Sequence, residues 1–193
     1  MPTWWRKQFN LGEPMRALVL CDHDLPQFKE LPLGPFDLIL GCGDIQDSAL
    51  LQAHKHFGAP IFAVKGNHDV DDDFPKPIVN LHMNVETFQG ITLGGHEGAP
   101  RYKPRGHFLY EESQAAQQMS FFPRVDVFIA HSPPRGTHDR DDIVHQGFET
   151  FRDYILKKKP AVFIHGHVDL DKETRLDGTR VIAACGAKVI DLP

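Results

Sequence analysis

Short apolar runs recur along the chain at residues 17–20, 36–40, 61–64, 125–130, 161–164 and 181–184, and most of them stop at a polar or glycine-containing cluster. Near-continuous apolar runs of this length are the pattern of strands covered on both faces. Residues 81–88 and 91–94 flank Gln89-Gly90 and predict a hairpin. Helical patterns lie between the runs. Asp47-Ser48 can cap a helix that reaches about His56 and is ended by Gly58. Residues 111–119 are rich in helix formers. Residues 147–158 place Phe148, Phe151, Tyr154 and Ile155 at spacings of three and four, with lysines in the last turn and Pro160 as the stop. Strands alternating with helices predict an α/β layered fold. The stretch 95–110 reads as a long loop with Pro100, Pro104 and several basic residues, and a loop of that length in a compact domain is usually functional or disordered.

Composition narrows the possibilities without choosing among them. A chain of 193 residues fits one domain, 1–193, with room for a sizeable core. The formal net charge of -5 implies no general affinity for nucleic acid. Cys21, Cys42 and Cys185 are far apart, odd in number and without a CxxC pair, which points to a reducing, cytoplasmic compartment. The first residues have no apolar segment typical of a secretory signal, and no stretch approaches the ~20 apolar residues of a membrane span. Twelve histidines is high for this length and raises the question of metal binding.

The residues immediately after the apolar runs are more informative. The first run leads into Cys21-Asp22-His23-Asp24, the second into Gly41-Cys42-Gly43-Asp44, the third into Lys65-Gly66-Asn67-His68-Asp69. The run at 125–130 leads into His131-Ser132, and that at 161–164 into His165-Gly166-His167-Val168-Asp169. In α/β sheets ligands bind beyond the carboxyl ends of the strands, so these side chains should converge. Carboxylates, imidazoles and an amide oxygen are ligands for divalent metals. Two metals ~3.5–4 Å apart clamp a phosphoryl group and generate a nucleophile near neutral pH.

In order, these blocks read Asp22-x-Asp24, Gly43-Asp44, Gly66-Asn67-His68-Asp69, His131 and Gly166-His167-x-Asp169. This succession resembles the motif set of the calcineurin-like metallophosphoesterases, from about Ala17 to Val189. The resemblance implies a layered β-sandwich core flanked by helices and two divalent metal ions. It implies Asp44 as the bridging ligand, Asn67, His131 and His167 on the second metal, and Asp22 on the first. It implies that metal-bound hydroxide hydrolyses a phosphate ester while His68, oriented by Asp69, assists the leaving group.

Two positions depart from the family pattern. The family has histidine where this chain has Asp24 and Asp169, and both changes fall on the first metal. That site becomes Asp22, Asp24, Asp44 and Asp169, an all-oxygen set suited to manganese, magnesium, iron or calcium over zinc. Four carboxylates repel one another, which predicts a loosely held ion there and a firmer one at the second site. In a rival reading, His23 or His165 supplies the missing imidazole. Alternation along a strand turns His23 away from Asp22, and His165 also reads as a core histidine.

Arg101, Lys103 and Arg105, beside the acidic cluster, are candidates for docking phosphate, together with Asn67. His145 is a candidate for the site edge or for a structural role before the last major helix. The run Asp71-Asp72-Asp73 reads as a solvated turn. The expected function is metal-dependent hydrolysis of a small phosphate ester, more readily a phosphodiester such as a cyclic nucleotide. The small size and a resemblance to the brain-expressed, cyclic-nucleotide-cleaving branch favour the diester. The alternative is a non-catalytic module of the same fold that binds protein partners, as the retromer scaffold subunit does.

Overall fold

The computed structural model describes residues 14–22 and 34–193. Two sheets lie face to face. The first has strand order β13-β1-β2-β3-β4, built from β1 (Met15–Cys21), β2 (Leu38–Cys42), β3 (Ile61–Val64), β4 (Val79–Asn80) and β13 (Gly186–Leu192). Its members β1 to β4 are parallel, and β13 joins β1 antiparallel with Met15 opposite Leu192. The second has order β11-β12-β10-β9-β6-β5, from β5 (Val85–Phe88), β6 (Ile91–His96), β9 (Val127–Ala130), β10 (Val162–His165), β11 (Lys172–Leu176) and β12 (Thr179–Ala183). Here β6, β9, β10 and β12 are parallel, with β5 and β11 as antiparallel edges.

Alternation along each strand explains the layering. Ala17, Val19 and Cys21 of β1, Leu38, Leu40 and Cys42 of β2, and Phe62 and Val64 of β3 meet Val127, Ile129, Val162, Ile164 and Ile182 in the core between the sheets. The intervening residues Leu18, Leu20, Ile39, Ile61 and Ala63 face α1 (Asp47–Phe57) through Leu50 and Ala53. On the far side, Phe128, Ala130, Phe163 and Val181 pack on α2 (Glu112–Met119) and α3 (Glu149–Lys158). The predicted apolar runs therefore correspond to strands buried on both faces, each covered by a sheet on one side and helices on the other.

Several predicted details shift. Gln46, not Asp47, sits at the N-cap of α1, because the Asp47 carboxylate is directed to the Lys65 ammonium at 2.8 Å. Gly58 ends the helix in the left-handed conformation as expected. Glu111 caps α2 through a reciprocal capping box with Gln114. The hairpin holds at Gln89-Gly90, where φ is 48° and 87°, the combination of a tight two-residue turn. Its first strand begins only at Val85. Residues 81–84 form a turn in which Asn84 N–H donates to Leu81 O. The stretch 95–110 is not a bare loop, since β7 (Ala99–Pro100) and β8 (Leu109–Tyr110) pair within it.

Behind β6 lies a buried polar cluster. The Glu97 backbone N–H donates to His82 Nδ1 at 3.1 Å, and the Tyr110 hydroxyl donates to the Glu97 carboxylate. Burial and the neighbouring His96 push the His82 pKa down to about 3. Unfolded, this imidazole titrates near 6.5, so its contribution to stability is present above pH 6.5 and is lost as pH falls towards 3. Denaturation at pH 7 and pH 4.5 should show a loss on the order of 2 kcal/mol that is smaller in His82→Asn. Equal losses in both proteins would show that His82 is not the group responsible.

Candidate metal centre

Five parallel strands deliver the site. Asp22 follows β1, Asp44 follows β2, Asn67 to Asp69 follow β3, His131 follows β9 and His167 follows β10. The ligand atoms of Asp44, His131 and His167 all lie within 4.8 Å of one another. Asn67 Oδ1 accepts from His131 Nε2 at 2.9 Å, and Asp44 Oδ2 stands 3.3 Å from the same nitrogen. His131 Nδ1 donates to Cys42 O at 3.0 Å, which turns Nε2 towards the carboxylate. His167 Nε2 donates to Val144 O at 2.8 Å, leaving Nδ1 as its lone-pair nitrogen.

The loops permit this crowding because of glycine. Gly43 has φ 85°, and a Cβ there would stand 2.6 Å from Gly66 N and 2.7 Å from His131 Nδ1. A Cβ on Gly66 would lie 2.1 Å from Asp44 Oδ1. The conformation around Asp44 is held from several sides. Its Oδ1 accepts from His68 N at 2.7 Å, and its own N–H donates to Asp69 Oδ2 at 3.1 Å.

Electrostatics agree with a cation site. Burial alone would lower the His131 pKa, but the Asp44 and Asp22 carboxylates reverse this and raise it to about 9. The Asp44 carboxyl is desolvated, yet His131 and the His68 N–H hold it below the ordinary range. Asp22 moves the other way: burial dominates, because its Oδ1 is 3.9 Å from His131 Nδ1 and its hydrogen bond from His167 N–H at 2.9 Å compensates only in part. Burial and His131 push His167 down to about 3, so it is a neutral donor. The positive charge now carried by a buried imidazolium is what a divalent ion would supply on binding to this donor set, with release of the proton.

Not every predicted residue joins this group. Asp24 lies outside the described residues. Asp169 is exposed, with φ 45°, and among the described residues the group close enough to share an ion is Asp44, His131 and His167. Asp69 does not orient the His68 ring. Its Oδ2 accepts from Gly66 N–H at 2.6 Å and from Asp44 N–H, because the sharp turn after β3 leaves those donors facing it. His68 itself is exposed. Arg101 reaches Leu109 O and Glu111 Oε1, the latter at 2.9 Å, so its guanidinium clasps β8. Lys103 Nζ sits 5.0 Å from the Tyr102 ring centre, and Arg105 is exposed.

Tyr102 and Lys65 were not anticipated, whereas His145 and His165 were. The Tyr102 hydroxyl accepts from Asn67 Nδ2 at 3.3 Å, which fixes the amide so that its oxygen faces His131. Lys65 is 2% exposed, paired with Asp47 and 3.9 Å from the Phe74 ring centre. A lysine at the end of an unbroken apolar run was the available signal. His145, bonded to Asp142, has its ring 5.4 Å from that of His167, at the edge of the site. His165 is a core histidine: Thr174 Oγ1 donates to His138 Nε2 at 2.7 Å, His138 Nδ1 to His165 Nε2 at 3.0 Å, and His165 Nδ1 to Gly166 O at 3.0 Å. This chain ties β11 to the turn that carries His167.

The calcineurin-like phosphoesterase family model matches residues 17–169, and the chain belongs to that family. No curated protein matched the sequence. One solved crystal structure aligns over 94% of this chain and 100% of its own, with TM-score 0.66 and 18% identity. A crystal structure of a Thermus thermophilus protein aligns over 93% of this chain and 99% of its own, with TM-score 0.59 and 13% identity. The phosphopantetheinyl hydrolase of Mycobacterium tuberculosis aligns over 89% of this chain and 90% of its own, with TM-score 0.57 and 12% identity. At these identities the likeness is one of fold. Among the described residues no helix is long and apolar enough to cross a membrane.

Proposed function

We propose that this chain is a single-domain, metal-dependent phosphoric ester hydrolase acting on a small phosphodiester, such as a cyclic nucleotide, in a reducing cytoplasmic compartment. The observation that carries this reading is the convergence of Asp44, His131 and His167 within 4.8 Å, on loops that follow the family's motif order. Asp44, Asn67, His131 and His167 would hold one divalent ion. Asp22 and Asp44, joined by Asp24 and Asp169, would hold a second in an oxygen-rich site, for which manganese is the best match and magnesium, iron and calcium are alternatives. When bound, the ions polarise the phosphoryl group and supply a nucleophile near neutral pH.

The chain's own residues do the rest. His68 adjoins Asn67, is exposed, and stabilises or protonates the leaving oxygen. Asp69 holds the turn that presents His68, through Gly66 and Asp44. Asn67, its amide fixed by Tyr102, would serve both as a ligand to the ion and as a contact for phosphate. Among Arg101, Lys103 and Arg105, the last two are better placed to add positive charge, because Arg101 is committed to Leu109 and Glu111. With a net charge of -5, long nucleic acids are poor substrates.

The test compares bis-p-nitrophenyl phosphate with p-nitrophenyl phosphate on manganese-loaded protein. The diester should be favoured by at least about tenfold in kcat/KM. A preference for the monoester overturns the diesterase assignment. Inertness towards both favours a non-catalytic module that binds protein partners.

A further inference from the structure

A cavity of ≈ 320 Å³ opens beside His68, walled by Gln46, Asp47 and Ser48 at the start of α1, by Lys65 at the end of β3, and by Asp71 beyond the turn. No residue of the Asp44–His131–His167 group lines it, but His68 and Asp69 do. We propose that this cavity is the leaving-group pocket, and that it takes a sugar-sized polyol without negative charge. The inference rests on the esterase reading and names the substrate class of that same site.

Three observations carry it. The first is position: a group that assists the leaving oxygen must lie between the phosphoryl site and the departing alcohol, and His68 forms the wall of this cavity. The second is charge. The Lys65 ammonium is neutralised by Asp47 at 2.8 Å, so the remaining Asp69 and Asp71 leave the lining acidic. An anionic leaving group is repelled there, whereas hydroxyls find acceptors at the carboxylates and a donor at the Gln46 amide N–H, whose oxygen accepts from the Ser48 hydroxyl. The third is size. At roughly 30 Å³ per water-sized group, the volume accepts about ten such groups, as a pentose or hexose presents. An extended hydrocarbon is a poor match for walls in which Val70 is the only aliphatic member among the described residues.

The experiment uses full-length, manganese-loaded protein with three esters. These are 2′,3′-cyclic AMP for a nucleotide ribose, ribose 5-phosphate for a free sugar, and bis-p-nitrophenyl phosphate as the reference with a self-activated leaving group. Ser48→Trp, at an exposed helix position, fills the pocket. It should lower kcat/KM on the ribose ester that the wild type cleaves by about tenfold or more relative to the reference. Manganese affinity and inhibition by inorganic phosphate, which has no leaving group, should keep their wild-type values. Gln46→Ala, which removes an amide without adding bulk, should shift the same ratio in the same direction by a smaller factor. The proposal is overturned if the wild type cleaves the reference but neither ribose ester, or if neither variant changes the ratio by twofold. If the wild type cleaves none of the three esters with any metal, the esterase reading itself fails and the pocket assignment falls with it.

Discussion

Asp44→Asn is expected to lower metal affinity by more than the ~10–100-fold typical for loss of a mere supporting partner, and to abolish hydrolysis with it. Asp44 is where the two halves of the molecule meet. Its Oδ1 accepts from the His68 backbone, and its Oδ2 faces His131, which the second sheet presents. Asparagine keeps the shape but removes the charge that raises the His131 pKa to about 9. The variant's His131 should therefore titrate nearer its ordinary range. Calorimetric titration of manganese and the His131 NMR titration check both statements. Manganese affinity within threefold of wild type would remove Asp44 from the metal site.

His68→Ala should behave differently. Its ring lies outside the metal-binding group, and only its backbone N–H holds Asp44, so the substitution leaves that hydrogen bond in place. Metal content should be unchanged while kcat falls by about 10²–10⁴, the range of a lost general acid. The loss should be greater for an alkyl ester than for a p-nitrophenyl ester, whose leaving group departs without protonation. An unchanged kcat on both would exclude His68 from the chemistry. Loss of metal would instead make it a ligand.

The two predictions rest on features that were unequally legible in the sequence. The strands between and beneath the helices could be read because burial on both faces makes them continuous apolar runs, as at residues 61–64 and 162–165. The outer strands β11 and β13 escaped notice, since Lys172–Leu176 is half exposed and polar, and its pairing with β12 depends on tertiary placement. Asp44, Asn67, His131 and His167 were legible because each comes just after a strand, so position in the sheet fixes their convergence. Asp169 comes four residues after the end of β10, further from a strand end than any of these, so the register of the sheet constrains its direction less. Lys65, Tyr102 and His138 act through partners far away in sequence, Asp47, Asn67 and His165, and a motif read in register does not reveal such pairs.

The two proposed sites, one with two imidazoles and one of carboxylates, differ in metal dependence. The buried imidazoles favour a tightly held ion, and the carboxylates alone favour an exchangeable, oxygen-preferring one. Removal of the exchangeable ion should stop turnover before the firmer ion is lost.

Metal-dependent ester hydrolysis is tested by following bis-p-nitrophenyl phosphate with metal-stripped protein to which manganese, magnesium, nickel, zinc or calcium is restored one at a time. No turnover is expected without metal, with strong recovery on adding manganese or magnesium and little on adding zinc. A folded protein that remains inert with every metal would contradict this reading and would identify the chain as a binding module built on a phosphoesterase fold.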